Sequence, residues 1–455
     1  MNIESEHMYQ YISKNKINMI SMIRLNATAA MARLLITVLA FMLFGSVGSA
    51  DSGYAYPIED PVAATIIGTP KEYRAELGKP GKVKQFKLKV YKDRVTPKYF
   101  WYNDKITYGL LRQKQKAPLI FVIAGTGGNY TGSKMTTLSS AFYNAGFHVV
   151  MLPSPTYMSF IIAASNSSVP GLLDEDSHDL YNVMKLAWST QLKSRIEVSE
   201  FYVTGYSLGG AQAAYLAHID EQQKFFNFKK ALVINTPVSL FSSVNILDDY
   251  LDNNFKTGKE FEVFWRKIWS ALTKRFDESK AGQLELTPDF LFEAYRDQEP
   301  NEQDLEGLIG TAFRISAASL MVTADVMSQS GYIVPKGTTA KVSADVTDYF
   351  VVSHRTGFME YAQGLMLPFY QGRDSSVTFE KLVQRASLYP IEDYLRNSKK
   401  IGLMHNADDI ILAPGEMDWL KDVFGDRAKV YPRGGHLGNV AYKDNVNHMV
   451  EFFKN

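Results

Sequence analysis

Five short, nearly unbroken apolar runs constrain this chain more than anything else in it: LIFVIA (119–124), FHVVML (147–152), EFYVTGY (200–206), KALVIN (230–235) and KIGLMHN (400–406). A strand covered on both faces reads this way because neither face needs polar residues, and such strands belong to parallel sheets sandwiched between helices. Helix-like segments separate most of the runs, over 133–145, 172–194 and 208–219. In the second of these, Leu180, Val183, Met184 and Ala187 recur at helical spacing. Alternating strand and helix predicts an α/β fold with a mostly parallel sheet flanked by helices. Two earlier segments, KVKQFKLKVY (82–91) and KITYGLLRQ (105–113), alternate apolar and polar residues and read as half-exposed strands at a sheet edge.

The rhythm stops after Pro237 and resumes near Lys399. The intervening residues carry helical patterns such as EFEVFWRKIWSALTKRF and acidic stretches such as DQEPNEQDLEGL, which read as a large, mostly helical cap inserted into the sheet domain. The expected organisation is therefore an N-terminal extension and signal peptide over 1–50, a first core segment over 51–237, the cap over 238–398 and a second core segment over 399–455. The cap aromatics Phe261, Phe264, Trp265 and Trp269 lie at helical spacing, which favours a cap core over a pocket roof.

At the N-terminus, MARLLITVLAFMLFGSVGSA places Arg33 before an apolar stretch from Leu34 to Phe44, with Gly48 and Ala50 preceding Asp51. That is the pattern of a secretory signal peptide, and its apolar part is short for a membrane span. Translation from Met22 or Met31 accounts for the unusual length upstream. The expectation is export to a periplasm or the medium, with no stable membrane span after cleavage. The chain has no cysteine, so no disulfide framework accompanies that address. Basic and acidic side chains number 49 and 48, and no basic block stands out, which gives no footing for a nucleic-acid partner.

The run LIFVIA breaks into AGTGGNYTGSKMTT, a strand followed by a Gly-rich turn and a helix-like segment. Backbone N–H groups and a helix dipole aimed over such a turn suit a phosphate or an oxyanion alike. A phosphate loop needs lysine directly after its last glycine and then a hydroxyl. Here Ser133 and Lys134 follow Gly132 in the swapped order, which turns the lysine away and speaks against a nucleotide.

The deciding stretch is FYVTGYSLGGAQAAYLAH (201–218), where Gly205-Tyr206-Ser207-Leu208-Gly209 stands between a strand-like run and an alanine-rich helix-like run. This is the setting of a nucleophile elbow: small flanking residues let strand and helix approach while the serine is held out on a sharp turn. A serine nucleophile needs a base, and the base needs an orienting carboxylate. YPRGGHLGNV supplies His436 in a Gly-rich loop, and LMHNADDIILAP supplies Asp408 and Asp409 just past the last buried run.

Serine, aspartate and histidine in that chain order resemble the α/β-hydrolase family, serine hydrolases of esterase and lipase type, from about residue 85 to 455 with the cap as an insertion. The resemblance implies an acid after the seventh strand and a histidine after the eighth. It also implies oxyanion N–H donors from the loop after the third strand and from the residue after the nucleophile. The carried-over residues are Ser207, Asp408 and His436 as the triad, with Thr126 and Leu208 as the oxyanion donors. Asp408 is preferred to Asp409 because the family's acid is followed by one variable residue and two branched aliphatics. Many members have histidine before the first glycine of the oxyanion loop, where this chain has Ala124, so Gly127 competes with Thr126 for the donor role. The expected activity is hydrolysis of a small-molecule or lipid-like carboxylic ester through an acyl-enzyme, with no metal or organic cofactor. The same residues would serve amide, peptide or thioester cleavage, and a catalytically silent hydrolase-like binding protein is the alternative from another class.

Overall fold

The computed structural model describes residues 53–454 apart from 80, 258, 265, 268–269, 271–301 and 339–346. The signal-peptide reading over 33–50, the side chains of Trp265 and Trp269, and part of the cap lie outside the described residues. The chain divides into Met1–Tyr54 and Ala55–Asn455, and the second unit carries everything below.

Eight strands form one sheet: β1 Lys84–Leu88, β2 Ile106–Leu111, β3 Ala117–Ile123, β4 His148–Leu152, β5 Val198–Tyr206, β6 Ala231–Ile234, β7 Ile401–Asn406 and β8 Ala428–Tyr431. Their order across the sheet is β1-β2-β4-β3-β5-β6-β7-β8. β2 runs antiparallel to β1 and β4, and the remaining neighbours pair in parallel. The apolar runs behave as their composition requires, since β4, β6 and β7 are buried at every position. β1 is the alternating edge strand. β2 departs from expectation: it lies one place in from the edge, between β1 and β4, and is buried at five of its six positions.

The helices used below are α1 Pro61–Ile67, α2 Ser133–Asn144, α3 Leu173–Ala187, α4 Leu208–Gln223, α5 Leu240–Asp252, α6 Glu302–Ser328, α7 Thr347–Arg355, α8 Glu416–Phe424 and α9 Lys443–Lys454. α3 packs on α4 and α2 on α9. A stack of Phe121, Phe201, Phe226 and Phe228 ties the middle of the sheet to the loop after α4.

Between β6 and β7 the described residues contain helices and no strand. The ends of the insertion are stapled to each other: the Leu240 N–H donates to the Ala386 carbonyl at 2.9 Å and the Leu388 N–H to the Val238 carbonyl at 2.8 Å. The chain thus leaves the sheet domain and returns at a two-residue patch of antiparallel pairing. Within the cap, Arg314 on α6 meets Asp248 on α5 at 2.8 Å, both nearly inaccessible, while the second Asp248 oxygen accepts the Phe358 N–H at 2.8 Å. The Gln303–Ser328 stretch of α6 is long and apolar enough to cross a membrane, yet 83% of its most apolar window is buried, as for a core helix. Phe264 is buried against Phe255 in a cluster with Leu251, Leu308 and Ile309, so this aromatic fills the cap's own core.

Candidate active site

β5 runs straight into the turn that carries Ser207, whose backbone sits at φ 55°, ψ −131°. A non-glycine residue held at positive φ costs of order 1–3 kcal/mol and persists only where its surroundings over-determine it. The two motif glycines do so here. A Cβ on Gly205 would land on the Gly209 carbonyl, and one on Gly209 would land on the Ile123 and Ala124 carbonyls. Strand, turn and helix therefore close to a distance that only glycine permits, and Ser207 is left protruding at the head of α4.

His436 follows the Gly434-Gly435 turn after β8, with both glycines at positive φ. Its backbone N–H donates to Thr65 Oγ1 at 2.9 Å, so α1 steadies the histidine loop. The imidazole Nε2 lies 2.9 Å from Ser207 Oγ, and Nδ1 lies 3.0 and 3.2 Å from the two carboxylate oxygens of Asp409. A ring nitrogen facing a carboxylate carries the proton, which leaves Nε2 as the acceptor for the serine hydroxyl.

The acid in contact with His436 is Asp409, not Asp408. β7 ends at Asn406 and the chain turns sharply. Asp408 is directed at the histidine loop's backbone, where its oxygens accept the Gly434 and Gly435 N–H groups at 3.0 Å each. Asp409 points inward, fully buried, and takes the Asn235 Nδ2–H at 2.8 Å and the Ile411 N–H at 3.2 Å besides His436. That second contact is an Asx-type turn, in which a side-chain oxygen accepts the N–H two residues on. It anchors the aliphatic pair to Asp409 with no variable residue in the required slot, and this is why the spacing argument chose the wrong neighbour.

The two carboxyls differ electrostatically as well. Burial pushes Asp409 up, but the His436 imidazole, then His405 and the Asn235 amide, outweigh it and hold the carboxyl below its ordinary range. Burial also pushes Asp408 up, and there the Gly434 and Gly435 N–H groups offset it only in part, leaving Asp408 raised. Asp409 is thus the carboxylate kept ionised beside the imidazole.

In the Gly-rich loop after β3 the N–H groups of Thr126 and Gly127 have different surroundings. The Gly127 N–H donates to Thr156 Oγ1 at 2.9 Å and the Gly128 N–H to the Gly125 carbonyl at 2.9 Å, so both are occupied within the protein. The Thr126 N–H has no such acceptor among the described residues, nor does that of Leu208 at the uncapped start of α4. Thr126 and Leu208 line the same cavity as Ser207 and His436. This cavity, about 210 Å³, is walled by Leu240, Val244 and Leu247 of α5 and by Ile309, Ala312 and Phe313 of α6. The cap helices thus supply its apolar side, and Asn129, Lys134 and Ser316 are among its polar residues. Among the described residues no cluster of three His, Cys, Asp or Glu side chains could hold a metal.

Three supporting residues escaped sequence reasoning. Thr65 lies near the start of the first core segment and carries no local signal. Asn235 ends a buried run, and a polar residue at the tip of such a strand was the one visible hint. Thr156 sits in an unremarked loop after β4.

No protein-family model matches the chain, and no curated protein matches it. Similar solved structures include an acylaminoacyl peptidase in complex with Z-Gly-Gly-Phe-chloromethyl ketone (11% identity, 83% of this chain, TM-score 0.40), of whose length the chain spans 42%. Others are Est1E from Butyrivibrio proteoclasticus (10% identity, 77% of this chain and 96% of that one, TM-score 0.36) and a hyperthermophilic esterase from the archaeon Pyrobaculum calidifontis (14% identity, 83% of each chain, TM-score 0.37). Likenesses this distant assign no activity. The chain's own sheet, with a serine elbow after β5, an aspartate after β7 and a histidine after β8, has the α/β-hydrolase fold.

Proposed function

We propose that the protein is an exported serine hydrolase that cleaves a carboxylic ester with an apolar acyl group through an acyl-enzyme on Ser207. The observation that carries this reading is the unbroken chain from Ser207 Oγ to His436 Nε2 at 2.9 Å and from His436 Nδ1 to Asp409 at 3.0 Å, opening into the apolar cavity. As Oγ bonds to the substrate carbonyl carbon, its proton passes to His436 Nε2 and the carbonyl electron pair moves onto oxygen. Asp409 keeps the imidazole in the required tautomer and stabilises its charged form. The N–H groups of Thr126 and Leu208 receive the oxyanion, a contribution of about 3–4 kcal/mol per donor in comparable sites. The tetrahedral intermediate collapses, the ester C–O bond breaks, and His436 returns its proton to the leaving alkoxide. Water then repeats the sequence with His436 as base, freeing the acid and Ser207.

No step asks for a metal or an organic cofactor. Export rests on the sequence alone, and protein recovered from an exporting host should begin at or near Asp51 by mass spectrometry. The activity is tested with nitrophenyl esters of increasing acyl length, run beside the matching anilide and thioester. Ester turnover that disappears in Ser207→Ala supports the proposal. Turnover of the anilide or thioester above the ester would reassign the bond, and no turnover of any would favour a binding protein.

A further inference from the structure

The oxyanion loop is held by a residue outside the triad and outside the loop itself. Gly127 is at φ 63° and its N–H is drawn to Thr156 Oγ1, 2.9 Å away. Thr156 is buried, and its hydroxyl lies 2.8 Å from Ser154 Oγ. The Ser154 N–H in turn donates to the Gly128 carbonyl at 2.9 Å, while the Gly128 N–H closes the turn onto Gly125 at 2.9 Å. The segment after β4 therefore grips the loop through both the N–H of Gly127 and the carbonyl of Gly128. From the opposite side the cap leans on the same residue, since a Cβ on Gly127 would lie 2.9 Å from the Cβ of Ser316 on α6.

We infer that Thr156 is a positioning residue for the oxyanion pocket, an inference that rests on the hydrolase reading above. Two adjacent N–H groups, those of Thr126 and Gly127, could each turn toward a developing negative charge. Engaging Gly127 with Thr156 Oγ1 removes one of them and fixes the peptide that follows Thr126, while the Gly128 N–H on the Gly125 carbonyl holds the peptide that carries the Thr126 N–H. The Thr126 N–H is then the donor that stays aimed at the site before substrate arrives. Donors fixed in advance are what give an oxyanion pocket its value, because no reorganisation is needed as charge appears. A displacement of 1 Å at such a site can cost about 10²-fold in rate. Without the threonine hydroxyl, the half-buried Gly127 N–H has lost its acceptor, and the turn relaxes to find another.

The test compares Thr156→Val, which keeps the shape and removes the hydroxyl, with Thr156→Ser, which keeps the hydroxyl, in the full chain with nitrophenyl butyrate as substrate. Thr156→Val is expected to lower kcat by roughly 10- to 100-fold with KM moved less than about threefold. Thr156→Ser should stay within about threefold of wild type in kcat. A role confined to stability would lower the thermal midpoint and leave kcat per folded molecule unchanged, and that result overturns the inference. So does a Thr156→Ser enzyme as slow as Thr156→Val. If the wild-type chain turns over no ester, the hydrolase reading is what has failed, and amide exchange over residues 125–128 then decides the clamp. Exchange faster in Thr156→Val than in wild type and Thr156→Ser supports it, and equal exchange in all three overturns it.

Discussion

Replacing Asp409 with asparagine is the sharpest perturbation, because three donors converge on its two oxygens: His436 Nδ1–H at 3.0 Å, Asn235 Nδ2–H at 2.8 Å and Ile411 N–H at 3.2 Å. An asparagine offers one oxygen and one NH₂ group to that set. The NH₂ group must therefore face a donor; the Ile411 N–H cannot yield, and where the NH₂ meets the ring the imidazole moves its proton to Nε2 and accepts at Nδ1. Nε2 then presents a proton to Ser207 instead of a lone pair, and the base is lost. The corresponding tautomer error in the best-studied triad costs about 10⁴-fold in turnover, or ~5 kcal/mol at 1.36 kcal/mol per factor of ten. Asp408→Asn meets a different environment. It leaves one of the Gly434 and Gly435 N–H groups without its acceptor, at ~1–3 kcal/mol of stability, and keeps the His436–Asp409 contact. Its turnover should fall less than about tenfold, since the hydrogen bonds it loses only support the histidine loop. Nitrophenyl ester kinetics on both variants, with thermal melts to separate folding from rate, give the ranking. A crippled Asp408→Asn beside an active Asp409→Asn would make Asp408 the orienting acid after all, and equal mild effects would place that acid elsewhere.

Arg314→Met strands the buried Asp248 carboxylate in the cap and should cost ~3–5 kcal/mol, read as a lowered denaturation midpoint; the Asp248→Asn, Arg314→Met double variant should recover much of it. Burial raises the Asp179 carboxyl to about 6 despite the Asn166 N–H, and burial likewise holds Asp176 well above its ordinary value. Both hold protons in the folded state that the unfolded chain has released, so stability should fall as pH rises from about 4 to 6, and Asp179→Asn should flatten that slope in urea titrations. Asp409 has the opposite sign, and its contribution should vanish only as pH falls below the ordinary carboxylate range. Leu247→Trp, placing bulk on the cap side of the cavity, should shift preference toward short acyl esters while changing turnover of the acetate ester less; an unchanged length profile would remove α5 from the acyl site.

The sheet was legible because a strand buried on both faces leaves an unmistakable run of apolar residues, and the elbow because Gly205 and Gly209 can be replaced by nothing larger. The edge assignment of β2 failed at the positions between its alternating apolar residues: Ile106, Tyr108 and Leu110 are buried as alternation requires, but Gly109 and Leu111 on the other face are buried too, and a Cβ on Gly109 would meet Met151 and Tyr130 from other segments. The choice between Asp408 and Asp409 failed for a related reason. Neighbouring carboxylates on a turn diverge, and which one faces the histidine depends on the direction of the chain after Asn406 and on Asn235, a residue 174 positions away. Thr65 and Thr156 were invisible because each acts through one hydroxyl on the backbone of another segment, and such contacts leave no periodicity or motif behind. The cap's helical character was readable, whereas its staple at 238–240 and 386–388 exists only once the two ends meet.

The central claim is that Ser207 is a nucleophile activated by His436. Intact-mass and peptide-level mass spectrometry after treatment with a fluorophosphonate probe tests it most directly, because labelling requires an activated serine and reports its position without any assumption about the substrate. A single adduct per chain is expected on the peptide containing Ser207, absent in Ser207→Ala and strongly slowed in His436→Ala and Asp409→Asn. A folded wild-type chain that takes up no label, or one labelled at another serine, would contradict it.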